Sequence, residues 1–532
     1  MIHQIRGFIL PGVCVLLVGA LLLSVLLSPA YLWFAGFTAL LLVVGIHDVV
    51  QKRHSILRNY PILGHLRFML EDAGPELHQY LVESNTSGTP FARDQRSLMY
   101  ERAKNVGDKK PFGTELDVYA EGYSWIAHSL APKPLAENPS ESLRTLVGEG
   151  RCEKPYSASV YNISAMSFGA LSANAVLSMN AGAKKGGFAH NTGEGGCSRH
   201  HRQNGGDLIW QIGTGYFGCR TNQGTFDEET FREQASLDQV KMIEIKLSQG
   251  AKPGHGGILP AAKVTEEIAE ARRVAVGETC ISPPGHSAFD TPIGLLEYVT
   301  KLRELSGGKP VGFKLCVGDP GQVFAMCKAM LETKLLPDFI TVDGGEGGTG
   351  AAPIEFSDHL GAPLRDGLIL VHNALVGIGV RDQLRIAASG KRTSGFEIAA
   401  AMAMGADWCN SARGFMFSVG CIQAQTCHTN KCPVGVTTQN QQLQRAIDVD
   451  DKGKRAFHFH QNTVEALAEV TAAAGLDHPS GLTPDHLWWR LSLSDVRPVS
   501  RIYEFFEPGQ LLDGTVSENL QPYWEGAQAS SW

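Results

Sequence analysis

Hydrophobic and polar positions divide the chain into four stretches. Residues 7–46 carry no charged side chain, and a helix of that length would be about twice as long as the roughly 30 Å hydrocarbon core of a bilayer. One span cannot use the length, but two can. The break falls at Ser28-Pro29, because proline restricts the residue before it and cannot continue a helix. This predicts spans over 7–27 and 31–47. The run is too long for the single 7- to 15-residue apolar core of a signal peptide. Arg6 precedes the first span, and Lys52, Arg53 and Arg58 follow the second. The positive-inside rule then places both flanks, and everything after them, in the cytoplasm.

Residues 51–150 are polar with helical stretches such as 55–81, and 109–123 reads as turns and extended chain. After Tyr156 short apolar, β-branched runs end in glycine-rich or polar loops and alternate with helical stretches. These runs are VYNISAMSFGALS, FAHNTGEGG, LIWQIGTGYFG, MIEIKLSQG, VGFKLCVGD, FITVDGGEGG, LRIAASGKRTSG and DWCNSARGF. Eight strand-loop units over about 260 residues predict an α/β fold of the (β/α)₈ TIM barrel type. A doubly wound sheet uses the same units and is the alternative. Beyond 440 the pattern turns helical, with Phe457, Val464, Leu467 and Val470 at helical spacing before Gly475. The expected organisation is a transmembrane hairpin over 1–50, a juxtamembrane segment over 51–150, the barrel over 151–440 and a helical extension over 441–532 that packs on it.

Composition narrows the function. At 532 residues the chain is far more than one small binding module. With 47 basic and 54 acidic side chains its net charge is −7, so it lacks the basic excess that neutralises a nucleic-acid backbone. Nucleic acid is not an expected partner. Eleven cysteines in a long chain, an odd number with three clustered at 421, 427 and 432, do not suggest a disulfide framework. Most of the others are expected to pack as small apolar residues.

In a barrel the chemistry lies in the loops after the strands, with phosphate usually at the last two. Those loops are SGKRTSG (389–395) and SARGF (411–415), and GGEGGTG (344–350) before them is five-sevenths glycine. Ordering so many glycines is entropically costly, and small residues let backbone N–H groups approach an anion. The three loops together predict a phosphate-bearing cofactor. The G-x-G-x-x-G spacings at 213–218 and 345–350 follow strand runs but do not open directly into a helix as a dinucleotide fingerprint does, so NAD(P)H is not expected to bind here. In CIQAQTCHTNKCPVG (421–435) the three thiols are separated by five and four intervening residues. An iron–sulfur core, a zinc site with His428 as fourth ligand and plain packed cysteines all remain open on spacing alone.

The motifs SAMSFGALS, NTGEGG, KLSQGAKPGHGG, ISPPGH, GGEGGTGAAP and CHTNKCPVGVTTQ occur in this order. Over about 109–440 the chain resembles the FMN-binding synthase domain of the glutamate synthase large subunit, above all its short, stand-alone, membrane-anchored relatives. The resemblance implies a (β/α)₈ barrel carrying FMN and a 3Fe-4S cluster on Cys421, Cys427 and Cys432. In the family, electrons pass from the cluster to FMN, which reduces 2-iminoglutarate to L-glutamate (an EC 1.4 activity). Full-length members begin with a glutaminase domain and end in a β-helix. This chain opens on the apolar run, so nitrogen is expected as ammonia or an amine.

By the same resemblance Lys314 and Lys246 place cations near the flavin N1/O2 edge, where reduction builds negative charge. Met166, Ser167 and Gly169 would pass the isoalloxazine ring, and Gly345, Gly347, Gly348, Gly390 and Gly414 would offer backbone to ribityl and phosphate. Lys252 and Arg272 would bind the carboxylates of a 2-oxo dicarboxylate, with Gln249 and Glu194 adding polar contacts. Glu194 would be the proton donor or imine partner if its pKa is raised. The plainer alternatives are a solvated strand-end lysine at 314 and a solvated helix face at Arg272, beside Arg273. Where the family reads PGEGGQLPG this chain has PGHGGILPA, bringing in His255 and Ile258, and GEGGED becomes GEGGCSRHH (193–201). The pocket therefore departs more than the cofactor sites. Besides glutamate formation, a synthase making an N-substituted glutamate or using another 2-oxo acid, and a membrane electron-transfer subunit without turnover of its own, stay in view. The electron donor is expected to be a ferredoxin, a reductase subunit or a quinone. The protein is expected to be a multi-pass membrane protein with its catalytic domain cytoplasmic.

Overall fold

The structure, a computed structural model, describes residues 6–532; the first five residues of the expected hairpin lie outside the described residues. Two compact units form, Met1–Arg93 and Asp94–Trp532.

In the first unit, helices α1 (Ile9–Leu26) and α2 (Tyr31–Val50) pack on each other across a turn at Ser28-Pro29. Both are long and apolar enough to cross a membrane, with mean hydropathy 2.7 and 1.8. α2 runs past the expected end at His47 because Asp48 is satisfied inside the unit. Its carboxylate accepts the Ile62 N–H at 2.9 Å and sits 2.9 Å from the His65 ring nitrogen. That contact starts helix α3 (Gly64–Leu77).

In the second unit eight parallel strands close into a barrel. They are β1 (Tyr161–Ile163), β2 (His190–Asn191), β3 (Leu208–Ile212), β4 (Val240–Lys246), β5 (Val311–Leu315), β6 (Phe339–Asp343), β7 (Arg385–Ser389) and β8 (Trp408–Ser411). Each falls in one of the eight runs read from the sequence, β4 starting two residues earlier at Val240, so the barrel holds and the doubly wound alternative falls. A preceding hairpin, Arg144–Val147 paired with Tyr156–Ser159, plugs the N-terminal end. There Val147, Tyr156 and Ala158 pack on Phe339, Ala387 and Trp408 of three barrel strands. With that end filled by apolar side chains, the polar residues collect at the other mouth.

The ring of helices closes with a late segment. Helices α4 (Ala173–Gly186), α5 (Glu266–Arg272) and α6 (Gly395–Ala403) follow β1, β4 and β7, and the 25-residue α7 (Val449–Ala473) lies against both α4 and α6. The approach is close. A Cβ at Gly182 would sit 2.7 Å from Ala456 Cβ, and one at Gly395 2.6 Å from the Leu467 nitrogen. α7 thus takes the eighth helix position, after the cysteine loop has left the end of β8.

The unit buries neutral imidazoles. Burial lowers the pKa of His190 and His460 to about 3 and that of His286 and His372 to about 4. A group whose folded pKa lies below its unfolded value of 6.5 leaves stability intact above pH 6.5 and loses it as pH falls toward the folded pKa. Each of these histidines should therefore cost about 2 kcal/mol by pH 5. The melting temperature is expected to drop sharply between pH 7 and pH 5; an unchanged value would refute the assignment.

Candidate active site

Side chains alternate along a strand, so Glu244 and Lys246 of β4 both face the barrel interior. Glu244 is buried and accepts hydrogen bonds from Asn191 (2.8 Å), Gln211 (2.7 Å) and Thr341 (2.8 Å). One layer higher, Lys246 of β4 stands in register with Lys314 of β5. Like charges side by side on neighbouring strands repel, and each lysine has a carboxylate partner. Glu194, in the loop after β2, lies 3.0 Å from Lys246 Nζ, and Asp343, ending β6, lies 3.8 Å from Lys314 Nζ. Asp343 also accepts the Gly250 N–H at 2.9 Å. Only glycine fits at 250, where a side chain would collide with the Gly344 carbonyl. Both lysines are buried, so neither is the solvated strand-end residue of the plainer reading.

Two further cations close on this row. Lys252 is buried, and its pKa is lowered by burial and by Lys246, against the pull of Glu194. Arg272, the last residue of α5, is only 5% exposed. Its guanidinium reaches Ser167 Oγ at 3.5 Å and lies over the Phe217 ring, 5.0 Å from its centre. The solvated-face alternative is therefore wrong for Arg272. Arg273 adopts the left-handed cap conformation and turns instead to Thr230 at 2.8 Å. A Cβ at Gly195 would sit 2.8 Å from Ser167 Cβ and 3.2 Å from an Arg272 nitrogen, so NTGEGG needs its glycines for close approach.

The expectation of a raised Glu194 pKa needs correction. Burial pushes this carboxyl up, but Lys246, Arg272 and Lys252 outweigh it and hold it below the usual value. Glu194 is a carboxylate here. The Lys246 pKa is lowered too, by burial despite Glu194 and further by Lys314. A cleft between these loops is lined by Glu194, Lys246, Gln249, His255, Gly257 and Pro283. His286 packs behind Lys246. Its Nε2 lies 2.9 Å from the Lys246 carbonyl and its Nδ1 3.2 Å from the Tyr216 hydroxyl. A carbonyl only accepts, so the neutral ring carries its proton on Nε2.

At the far side, Gly345, Gly347, Gly348 and Gly390 come together. A Cβ at Gly390 would lie 3.5 Å from the Gly344 nitrogen, one at Gly347 3.2 Å from Asp343, and one at Gly348 2.9 Å from Arg413. Gly414 is instead explained by packing, since its Cβ would meet Ser411 at 2.7 Å and Phe459 at 3.0 Å. Two cations beside these loops were not singled out from the sequence. Arg413 donates to the Glu346 carbonyl at 2.7 Å. Its pKa and that of Lys391 are both lowered, first by burial. Their motifs were visible in the sequence, but which residue faces the loop was not.

The cysteine loop lies next to this mouth. Met166 and Ser167 precede Gly169, and Gln439 donates to the carbonyls of Gly169 (3.1 Å) and Leu171 (3.0 Å), while Ser172 N–H donates to Val436. The three thiols lie within electrostatic range of one another. Burial pushes Cys421 up to about 12. Cys432 is lowered, because the Thr437 hydroxyl and the N–H groups of Thr437, Val434 and Val436 outweigh burial. Hydrogen bonds of this kind to sulfur suit thiolates that ligate a cluster. His428 is exposed, and among the described residues no three His, Cys, Asp or Glu side chains gather around one ion. Lys263 and Gln439, both bonded to this loop, carry no sequence signal of their own.

Residues 125–477 match the family described as the conserved region in glutamate synthase. The chain is 39% identical over 485 residues to the glutamate synthase large subunit-like protein YerD of Bacillus subtilis (strain 168), covering 84% of this chain and 92% of that protein. It is 32% identical over 315 residues to the archaeal-type glutamate synthase (NADPH) of Thermotoga sp. (strain RQ2), spanning 59% of each. With the ferredoxin-dependent glutamate synthase 2 of Synechocystis sp. it shares 34% identity over 288 residues, 53% of this chain and 17% of that protein.

Proposed function

This chain belongs to the glutamate synthase family of oxidoreductases, and from that premise we propose that it reductively aminates 2-oxoglutarate to L-glutamate, using FMN and electrons delivered through a 3Fe-4S cluster on Cys421, Cys427 and Cys432. The observation that carries this reading is a surplus of buried positive charge. Lys246, Lys252, Lys314 and Arg272 are all buried around the carboxylates of Glu194 and Asp343. Buried charges are costly unless paired, and the two uncompensated cations suit a dianionic substrate.

Bound FMN supplies the hydride that reduces the carbon–nitrogen double bond of 2-iminoglutarate. Arg272 and Lys252 hold the two carboxylates and so fix the 2-oxo carbon. Glu194, kept ionised by Lys246, accepts a hydrogen bond from the imine nitrogen and orients it. Lys246, whose pKa is lowered by burial, is the group placed to give and recover a proton there. Lys314 lies where a cation stabilises a reduced flavin, while Lys391, Arg413 and the glycines at 345, 347, 348 and 390 suit its phosphate. Overall, 2-oxoglutarate, ammonia, two electrons and two protons give glutamate and water. Anchoring by α1 and α2 with the barrel on the cytoplasmic side belongs to the same reading. The donor is a ferredoxin, a reductase subunit or a membrane quinone.

One observation favours a second reading, synthesis of an N-substituted glutamate. Ile258, 55% exposed and one residue after Gly257 of the cleft, pairs across a two-stranded ribbon with Ile281, 64% exposed. An exposed apolar pair next to the cleft in sequence suits an alkylamine better than ammonia. The deciding experiment is anaerobic turnover of dithionite-reduced protein with 2-oxoglutarate and either ammonia or methylamine. Glutamate from ammonia supports the first reading, and preferential N-methylglutamate the second. No product from either amine rejects the amination and leaves a membrane electron-transfer subunit.

A further inference from the structure

We propose that Lys263 is a positioning residue that joins the cysteine loop to the substrate loop and raises the reduction potential of the cluster. This inference rests on the reading that the three cysteines hold that cluster. Lys263 is 4% exposed, and its Nζ donates to the Cys427 carbonyl at 3.0 Å and the Thr437 carbonyl at 3.3 Å. The two acceptors lie on either side of Cys432 in sequence, so one ammonium clips both limbs of the loop.

Carbonyls satisfy hydrogen-bonding capacity but bring no countercharge, and a buried ammonium without one is costly. The sulfurs of Cys427 and Cys432 lie within its electrostatic reach. A thiolate-ligated core there supplies the missing negative charge. Each electron the core accepts adds to that charge, so a fixed cation nearby favours the reduced form. The same side chain is tied to the catalytic mouth. Lys263 stands two residues before Thr265, the N-cap of α5, whose last residue is Arg272, and it follows the segment that carries Gln249 and Lys252. A contact between Lys263 and the cysteine loop therefore also fixes the origin of the helix that aims Arg272.

The test compares Lys263→Met, Lys263→Gln and Lys263→Arg in the full chain by iron content and by redox titration followed by electron paramagnetic resonance. Glutamine keeps a hydrogen-bond donor without the charge, and arginine keeps the charge. In Met and Gln the reduced fraction at a fixed solution potential is expected to fall about tenfold, equivalent to 59 mV for a one-electron couple, with Arg close to the parent. Iron loss confined to Met and Gln supports the same role through cluster assembly. Iron-loaded Met and Gln variants at the parent potential would overturn the proposal, as would iron loss from all three. Parent protein without iron would instead overturn the cluster reading beneath it.

Discussion

Cys427→Ser is expected to strip iron from the protein, with its broad visible absorption, and to reduce donor-driven turnover to background while most of the flavin stays bound. In the cluster reading the three thiols of this one loop share one core, and a hydroxyl replaces a soft thiolate poorly as an iron ligand. Flavin should survive because the lysines, Arg413 and glycines beside its expected site lie on β4, β5 and the loops after β6 to β8, outside 421–435. Iron analysis with flavin quantitation on anaerobically purified protein checks this. Full iron content in the variant would refute the ligand assignment, and zinc in place of iron would remove the electron route.

Arg272→Ala is expected to weaken 2-oxoglutarate binding by about 10- to 150-fold, because a charge-assisted contact is worth roughly 1.5 to 3 kcal/mol and each 1.4 kcal/mol is a factor of ten. The loss should be specific. Arg272 leans on Phe217, reaches Ser167 only at 3.5 Å and does not touch the loops after β6 and β7 expected to hold the flavin phosphate, so flavin content should hold. Lys252→Ala should behave similarly, whereas Lys314→Ala should lower the flavin potential and leave substrate binding nearly intact. Titrating flavin absorbance with 2-oxoglutarate separates the three. An unchanged dissociation constant in both Arg272→Ala and Lys252→Ala would reject the dicarboxylate site.

The contrast between Arg272 and Arg273 shows how far local sequence reaches. Both stand in one EARR string, and nothing in it says which guanidinium turns inward. Arg273 takes the left-handed cap conformation and bonds Thr230, and this leaves Arg272 facing Ser167. Glu194 shows the same limit in electrostatics. Its glycine neighbours announced a loop carboxylate, but the sign of its pKa shift depends on Lys246, Arg272 and Lys252, which lie 52, 78 and 58 positions away.

The sequence by itself determined the elements and their order: two apolar helices broken at Ser28-Pro29, eight strand-loop units, and three cysteines in one loop. Local periodicity and composition encode such features, because each strand is a short apolar run and each functional loop is rich in glycine or polar residues. Only the tertiary structure decided which side chains meet. It set Lys246 beside Lys314 through the parallel register of β4 and β5, brought Glu194 and Asp343 to them, put α7 in the eighth helix position, and carried Lys263 to the carbonyls of Cys427 and Thr437. Those meetings join residues 29 to 274 positions apart, and closure of the barrel, not any local pattern, fixes the distances between them.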